Sequence, residues 1–123
     1  DGNRFDGGGM RYVRFRRLLA EMLLAVRPDL VAYEEVRRHM GTDAAHMYGG
    51  LRAHLMSICE EWKPAIPYTG IPVGTVKKRA TGKGNAGKAE MVETAKKHWP
   101  DQEIRDDNQA DALWIALVGS EQI

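Results

Sequence analysis

Acidic side chains crowd the stretch DDNQADALWIA, which covers residues 106–116 of the 123-residue chain. The stretch predicts a helix, and because Asp107 and Asp111 are four residues apart, the helix would carry both on one face. Asn108, three residues before Asp111, lies near the same face. Acids at a helix N-terminus commonly cap it and interact favourably with its dipole, which explains Asp106 and would also explain Asp107.

Asp111 is harder to explain as part of a cap, because an apolar run follows it. Its neighbours predict that the helix packs closely on another element; they are Ala110, Ala112, Leu113 and Ala116. A carboxylate in a close-packed region is strongly destabilising unless it is paired or binds a cation. Mg²⁺ prefers carboxylate and water oxygens as ligands, and two such ions can hold the attacking and leaving oxygens of a phosphodiester.

Glu34 is a further candidate for this chemistry, because it directly follows the apolar run LVAY at 30–33. The run predicts a strand buried on both faces, and open α/β sheets form their sites at the carboxyl ends of their strands. For a lone glutamate, a solvated strand end is the simpler explanation. Glu35 would point to the opposite side of the strand.

Basic residues are concentrated in two parts of the chain, although the net charge is only +1. The first 17 residues are arginine-rich, and the segment from Lys77 to Lys97 has seven basic and two acidic residues. Basic segments together with an acidic cluster suit a protein that binds a polyanion near a metal ion. Solvated helix faces are the alternative explanation of the same pattern.

Several other kinds of site are excluded. The stretch TGKGNAGK lacks the spacing of a nucleotide-binding P-loop, and the histidines have no zinc-ligand spacing with Cys59. A single cysteine cannot form an intrachain disulfide, which suits a reducing cytoplasm. No apolar run approaches the roughly 18 residues of a membrane span.

The residue pattern predicts the order helix, strand, helix, strand, helix, helix, which is typical of an α/β fold with a parallel sheet. A short turn carrying Lys77 and Lys78, capped by Thr75, would follow the second strand. The predicted elements are a helix from Met10 that Pro28 ends, a strand at 30–33, a helix at 43–62 capped by Thr42 or Asp43, an irregular edge strand at 66–74, a helix at 86–98 capped by Asn85, and a helix at 107–118.

The length suits a single domain covering 1–123. Two strands are too few to cover the apolar faces of four helices, and the sequence begins at Asp1 rather than at a methionine. We therefore expect the domain to be N-terminally incomplete in this sequence, with part of its sheet formed by other residues.

Three segments, PDLVAYEEV, VGTVKKRATGKGNAGK and NQADALWIA, resemble in their order and spacing the RuvC family of Holliday junction resolvases, in particular its small phage-type or RuvC-like members. The resemblance covers roughly residues 10–117. It implies a ribonuclease H-like mixed sheet flanked by helices, with the first strands absent from the given sequence. It also implies cleavage of branched DNA with Mg²⁺ or Mn²⁺, in a bacterial or phage-infected cytoplasm.

The resemblance also implies a set of catalytic and metal-binding residues. Glu34 matches the family's second carboxylate, and Asp111 matches the last one. Where the family has an acid or histidine three residues before that last acid, this sequence has Asn108, which brings no charge, so Asp107 is the alternative ligand. The expected catalytic residues are Glu34, Asp107, Asp111 and Lys88, and the expected metal ligands are Glu34, Asp107, Asn108 and Asp111.

Lys77 and Lys88 match basic family positions close to the scissile DNA. Arg37 stands where some members have an aromatic residue, and we expect it to contact phosphate instead. The expected DNA-binding residues are Arg37, Lys77, Lys78, Arg79, Lys83 and Lys88. Symmetric cutting of a junction requires a two-fold dimer, for which the helix at 43–62 is the candidate interface.

The family's first aspartate, on its first strand, has no match here, because Asp1 and Asp6 lie in a glycine-rich loop before the first helix. We therefore expect the 123-residue polypeptide by itself to be inactive. Two alternatives stay open: a non-catalytic branched-DNA-binding protein of the same fold, and another ribonuclease H-like nuclease that acts on flaps or RNA–DNA hybrids.

Overall fold

Five helices and two strands form in residues 8–38 and 41–122, which are the residues that the computed structural model describes. Asp1 and Asp6 lie outside the described residues. The elements in chain order are α1 (Met10–Val26), β1 (Val31–Glu35), α2 (Thr42–Glu61), β2 (Tyr68–Pro72), α3 (Val73–Thr81), α4 (Lys88–His98) and α5 (Asp107–Glu121). Within these residues no helix is both long and apolar enough to cross a bilayer.

Contacts between residues divide the chain into two compact units. The first comprises Asp1–Asp29 and Arg38–Pro67, and the second comprises Leu30–Arg37 and Tyr68–Ile123. The single domain expected from the chain length stays a prediction.

In the first unit, α1 and α2 pack against each other at a glycine. A Cβ atom added to Gly50 would lie 2.5 Å from Cε1 of Tyr12, so the tyrosine ring occupies the space that a side chain would need. Arg16 extends from α1 to α2, where its Nη1 lies 3.2 Å from Nδ1 of His54 and its Nη2 lies 3.3 Å from Oε1 of Glu61. The glycine therefore allows the close approach of α1 to α2.

In the second unit, β1 and β2 form the predicted parallel pair, with Glu34 opposite Ile71 in the register. The ring of Tyr33 covers its cross-strand partner Gly70, where an added Cβ would lie 3.0 Å from Cε2 of the ring. The strand runs through Glu35, so Glu34 is inside β1 rather than beyond its end. Its residues are half-buried rather than fully buried as predicted, because β2 is the only strand paired with it in the described residues.

Helix α5 packs directly on β1. A Cβ atom added to Gly119 would lie 2.7 Å from Cβ of Ala32, so the two backbones approach as closely as they do because residue 119 has no side chain. The sequence predicted such packing from the alanines, but Ala112 and Ala116 are exposed. Ala110 is fully buried, in a core that also contains Ile71, Val76, Met91, Ala95, Ile104, Trp114 and Val118.

Helix starts account for most of the differences from the predicted elements. Residues 73–81 form a complete helix instead of a turn capped by Thr75, because the chain turns helical directly after the extended Pro72. Helices α2 and α4 begin after Gly41 and Gly87, and no side chain caps either one, so the predicted caps Thr42, Asp43 and Asn85 were wrong.

The cap of α5 agrees with the sequence. The Asp106 carboxylate accepts a hydrogen bond of 2.9 Å from the backbone N–H of Gln109, as expected for a residue that ends the preceding loop. The helix then continues to Glu121, three residues beyond the predicted end.

We predict that Gly119→Ala lowers the free energy of unfolding by about 1 to 3 kcal/mol, because the new methyl group would force α5 away from Ala32. Chemical denaturation of both proteins measures this difference. Gly49→Ala is the matched control, since an added Cβ there meets nothing within 4 Å. The control should be neutral or slightly stabilising, since alanine is the better helix former. An equally stable Gly119→Ala protein would contradict the close approach.

Candidate active site

Five charged side chains from four elements of the second unit line one pocket of about 240 Å³. We call it the carboxylate pocket. Its charged residues are Glu34 from β1, Lys77 from α3, Lys88 from α4, and Asp107 and Asp111 from α5.

Local structure explains why these side chains meet. Glu34 lies near the carboxyl end of β1, and α5 begins at Asp107 because Asp106 caps it. One turn of helix then places Asp111 on the same face as Asp107. The floor of the pocket is apolar; its residues include Val76, Ala86, Met91 and Ile115.

The pKa values of both half-buried carboxyl groups are raised. For Glu34 the main cause of the raised pKa is burial, followed by the negative charge of Asp111, while Lys77 opposes the shift. For Asp111, burial and then the charge of Asp107 raise the pKa, while Lys77 and Lys88 lower it. The pocket therefore holds carboxylates whose mutual repulsion the two lysines offset only in part.

The two lysines differ in their position. Lys77 is half-buried in the wall of the pocket, whereas the Lys88 side chain is 87% exposed at its mouth. The Nζ atom of Lys88 lies 3.8 Å from Oδ2 of Asp107, the outer limit of an ion pair. Lys88 therefore has a cationic group that is open to solvent and close to the carboxylates.

The structure separates the two residues between which the sequence left a choice. Asp107 is half-buried and lines the carboxylate pocket, whereas Asn108 is exposed and is not among the lining residues. A helix turns about 100° per residue, so the face that brings Asp107 and Asp111 together carries Asn108 to its side.

Three of the basic residues expected at DNA lie outside the pocket and are exposed. Arg37 donates from Nε to Oε2 of Glu35 at 2.7 Å, and Nζ of Lys83 lies 3.2 Å from Oε2 of Glu90. Lys78 is exposed on α3. Their contribution to DNA binding stays a prediction.

Arg79 has a different environment. Its Nε donates to Oε1 of Glu121 at 3.1 Å and its Nη2 donates to Oε2 at 3.0 Å, which is a two-bond fork between α3 and the last turn of α5. The guanidinium carbon lies 5.9 Å from the centre of the Trp114 ring. The hydrogen bond from Arg79 is also the main reason why the pKa of Glu121 is lowered.

A shallow groove of about 470 Å³ follows α4 and shares Lys88 and Asp107 with the carboxylate pocket. We call it the α4 groove; its other residues are Ala89, Val92, Glu93 and Lys96. Lys96 is not among the DNA-binding residues expected from the sequence. The spacing of Lys88, Val92 and Lys96 could have revealed it, since residues four apart share one helix face.

The oxygen donors of the pocket match in kind those that Mg²⁺ and Mn²⁺ prefer. Over residues 8–38 and 41–122, however, no group of three or more His, Cys, Asp or Glu side chains is arranged so that it could hold a metal ion. The argument for a metal ion therefore rests on the types of side chain that converge in the pocket. The pKa values of Glu34 and Asp111 are raised there, so a bound cation would stabilise their charged forms.

Known proteins resemble this chain in both sequence and structure. The chain is 28% identical over 120 residues to the crossover junction endodeoxyribonuclease RuvC of Synechococcus sp. (strain WH7803), covering 94% of this chain and 76% of that protein. It also superimposes on RuvC of T. thermophilus in complex with a Holliday junction substrate, with a TM-score of 0.84, 24% identity, and coverage of 98% of this chain and 72% of the other.

The chain thus resembles RuvC proteins in both sequence and fold. A second Thermus thermophilus RuvC structure matches this chain with a TM-score of 0.77 at 23% identity, again over 98% of this chain and 72% of the other. The predicted resemblance and the predicted ribonuclease H-like fold class are thereby confirmed. No protein-family model matches the sequence.

We predict that Asp111→Asn stabilises the metal-free protein at neutral pH. Because the pKa of Asp111 is raised in the folded state, the fold loses stability as the pH rises from the ordinary value of 3.8 through the raised one. The amide carries no such charge, so the thermal midpoint in a chelating buffer should rise by a few degrees.

The gain should vanish below pH 3.8, where the wild-type carboxyl is protonated in both states. The exposed Asp101→Asn serves as the control and should change the midpoint little at either pH. A loss of stability in Asp111→Asn at neutral pH would show that the charged form is favoured in the pocket.

Proposed function

We propose that the chain acts as a metal-dependent, structure-selective endonuclease that resolves Holliday junctions or other branched DNA by phosphodiester hydrolysis. The observation that carries the proposal is the convergence of Glu34 and Asp111, both with raised pKa values, beside Lys77 and Lys88. The similarity to RuvC proteins supports the choice of substrate. The setting is a bacterial or phage-infected cytoplasm.

Glu34, Asp107 and Asp111 are the residues that would hold a Mg²⁺ or Mn²⁺ ion. When bound, such an ion supplies positive charge at the phosphate and a water molecule of lowered pKa. Asn108 could contribute an amide oxygen only from the side of α5, so Asp107 is the preferred third ligand.

The residues of the chain have separate tasks in this reaction. Glu34 and Asp111 provide the negative charge that recruits the cation, and the apolar floor limits the water around them. The ammonium groups of Lys77 and Lys88 bind oxygens of the scissile phosphate and stabilise the charge that develops there. Because Lys88 stands exposed at the mouth, it is suited to meet the phosphate first.

The DNA path continues from the pocket into the α4 groove. Lys88 and Lys96 are eight residues apart, which is about 12 Å along the helix axis. Glu93 would repel a phosphate in this groove, but its Oε1 lies 3.2 Å from Nζ of Lys97, which offsets its charge. The groove therefore has a basic residue at each end and suits the backbone on one side of the scissile phosphate.

A dimer through α2 remains part of the proposal, since a two-fold arrangement would cut paired strands symmetrically. Contacts with α1 already cover the side of α2 that includes Gly50, His54 and Glu61. Its opposite side, with residues such as exposed Arg52, is the surface that a second copy would meet.

Two features favour the alternative of a non-catalytic protein that binds branched DNA. Asn108 stands where the family has an acid or a histidine, and over the described residues no group of three or more His, Cys, Asp or Glu side chains is arranged to hold a metal ion. A nuclease acting on flaps or RNA–DNA hybrids is distinguished from the main proposal by competition among those substrates.

We predict that Glu34→Gln and Asp111→Asn each abolish cleavage of a four-way junction by the gene-encoded protein in Mg²⁺, while junction binding changes little. Each substitution removes one charge that the cation requires but leaves the basic surface intact. Cleavage is measured by gel electrophoresis of labelled junctions, and binding is measured in Ca²⁺.

Glu35→Gln is the matched control, because Glu35 is the next residue of β1, lies outside the pocket lining and pairs with Arg37. It should cleave normally. Retained cleavage in Glu34→Gln or Asp111→Asn would remove that residue from the catalytic set. Binding without cleavage in the wild-type protein would favour the non-catalytic alternative.

A second prediction concerns the α4 groove. Lys96→Gln should weaken junction binding and lower the slope of log affinity against log salt by about 1, the value expected when one phosphate contact is lost. Lys88→Gln should do the same if it binds phosphate, whereas Lys83→Gln should do so only if DNA displaces Glu90 from Lys83.

Lys97→Gln makes the same change of charge at the adjacent position, but the Lys97 ammonium group is already ion-paired with the Glu93 carboxylate. Its slope should stay near that of the wild type. Equal slopes for Lys96→Gln and Lys97→Gln would mean that the groove is not a DNA path and that only the overall charge matters.

A further inference from the structure

Arg79 makes two hydrogen bonds and a ring contact within the protein. Two of its N–H groups are directed at the two carboxylate oxygens of Glu121, and its planar group lies over Trp114. A two-bond fork of this kind fixes the orientation of both partners as well as their distance. Arg79 is therefore held like a structural arginine, although the sequence predicted that it binds DNA.

The fork lies on the side of α3 that is opposite to the carboxylate pocket. Lys77 and Arg79 are two residues apart, so their side chains leave the helix about 200° apart. Lys77 lines the pocket with Glu34 and Asp111, whereas Arg79 extends to the end of α5. Any rotation of α3 that moves one of these side chains must also move the other.

Helix α3 has nine residues, of which Val76 is fully buried and Ala80, one turn later, packs against the same core. The helix also contacts α4, α5 and β2. The Arg79 fork adds a directional polar contact on the side of α3 away from Lys77.

The same cluster also involves α4. The ring centre of His98 lies 5.1 Å from that of Trp114, and the ring centre of Trp99, which follows α4, lies 4.7 Å from it. Trp114 therefore lies among groups from the helices that carry Lys77, Lys88 and Asp111. The cluster is well placed to fix these helices relative to one another.

We propose that Arg79 is a positioning residue whose fork with Glu121 fixes the rotation of α3 and thereby holds the Lys77 ammonium group in the carboxylate pocket. The inference rests on the proposed nuclease function, because it assigns to Arg79 an indirect part in that reaction. In this proposal Arg79 contacts Glu121 within the protein instead of the DNA phosphate that the sequence led us to expect.

The test compares Arg79→Gln, Arg79→Lys and Glu121→Gln in the gene-encoded protein, with cleavage and binding of a four-way junction as readouts. If the fork positions Lys77, all three variants lose the fork and should lower kcat by a similar factor, about threefold to tenfold. Their affinity for the junction should stay within about twofold of the wild type, because no phosphate contact is lost.

A role of Arg79 in DNA binding leads to the opposite result for two of the variants. Glu121→Gln would release Arg79 and tighten binding, Arg79→Lys would keep its charge and its affinity, and Arg79→Gln alone would bind less tightly. That pattern would overturn the proposal.

Introducing each variant into a Lys77→Ala background separates positioning from general stability. A residue that acts through Lys77 has nothing left to position there, so the Arg79 and Glu121 substitutions should have no further effect on kcat. An undiminished effect would show a structural role that is independent of Lys77 and would overturn the proposal. Thermal midpoints of all variants identify any that fail to fold, and Glu121→Gln, at an exposed position, is the mildest of them.

Failure of the inference is distinguishable from failure of the proposed function. If the wild-type protein neither binds nor cleaves junctions, the proposed function is wrong. In that case the NMR shift of the Lys77 side chain still reports on its position, and an unchanged shift in Glu121→Gln overturns the inference by itself.

Discussion

The close approach of α5 to β1 is the constraint on which the candidate site depends. With Gly119 against Ala32, the helix lies so near the strand that side chains two turns earlier face the carboxyl end of β1. Asp111 is eight residues before Gly119, and Glu34 is two residues after Ala32, so the helix and the strand run in opposite directions at this contact. Every other part of the pocket is arranged around these two elements.

The consequence of that approach is an electrostatic conflict within an apolar setting. The core beneath the pocket, with Val76, Met91 and Trp114, provides the burial that holds the carboxylates close together. Such burial favours the uncharged form of each acid, and the neighbouring acid adds to the effect. Stability and the proposed cation binding thus make opposite demands on the same residues, which is common at sites that bind cations or substrates.

The sequence correctly predicted features that depend only on residues close together in the chain. The four-residue spacing of Asp107 and Asp111 predicted a shared helix face, and the position of Asp106 predicted a cap, because both depend only on the geometry of one helix.

Contacts between residues that are far apart in the chain could not be predicted from the sequence. Gly119 against Ala32 and Arg79 with Glu121 each join residues far apart in the chain, and no residue pattern marks such pairs. Which of Asp107 and Asn108 faces the pocket depends on the rotation of α5, which is set by its packing. Helix α3 was missed because two prolines and two glycines make residues 66–74 irregular.

The parallel pairing of Val31 with Tyr68 has a consequence for biosynthesis. During translation, β1 leaves the ribosome seconds before its partner strand exists, at ordinary elongation rates. The α1–α2 pair can begin to form in that interval, because α2 is made between the two strands. The carboxylates come together later still, since Asp111 belongs to α5, which is made after β2. A nascent chain therefore carries Glu34 without a counterpart until α5 has left the ribosome, and only then can the pocket form.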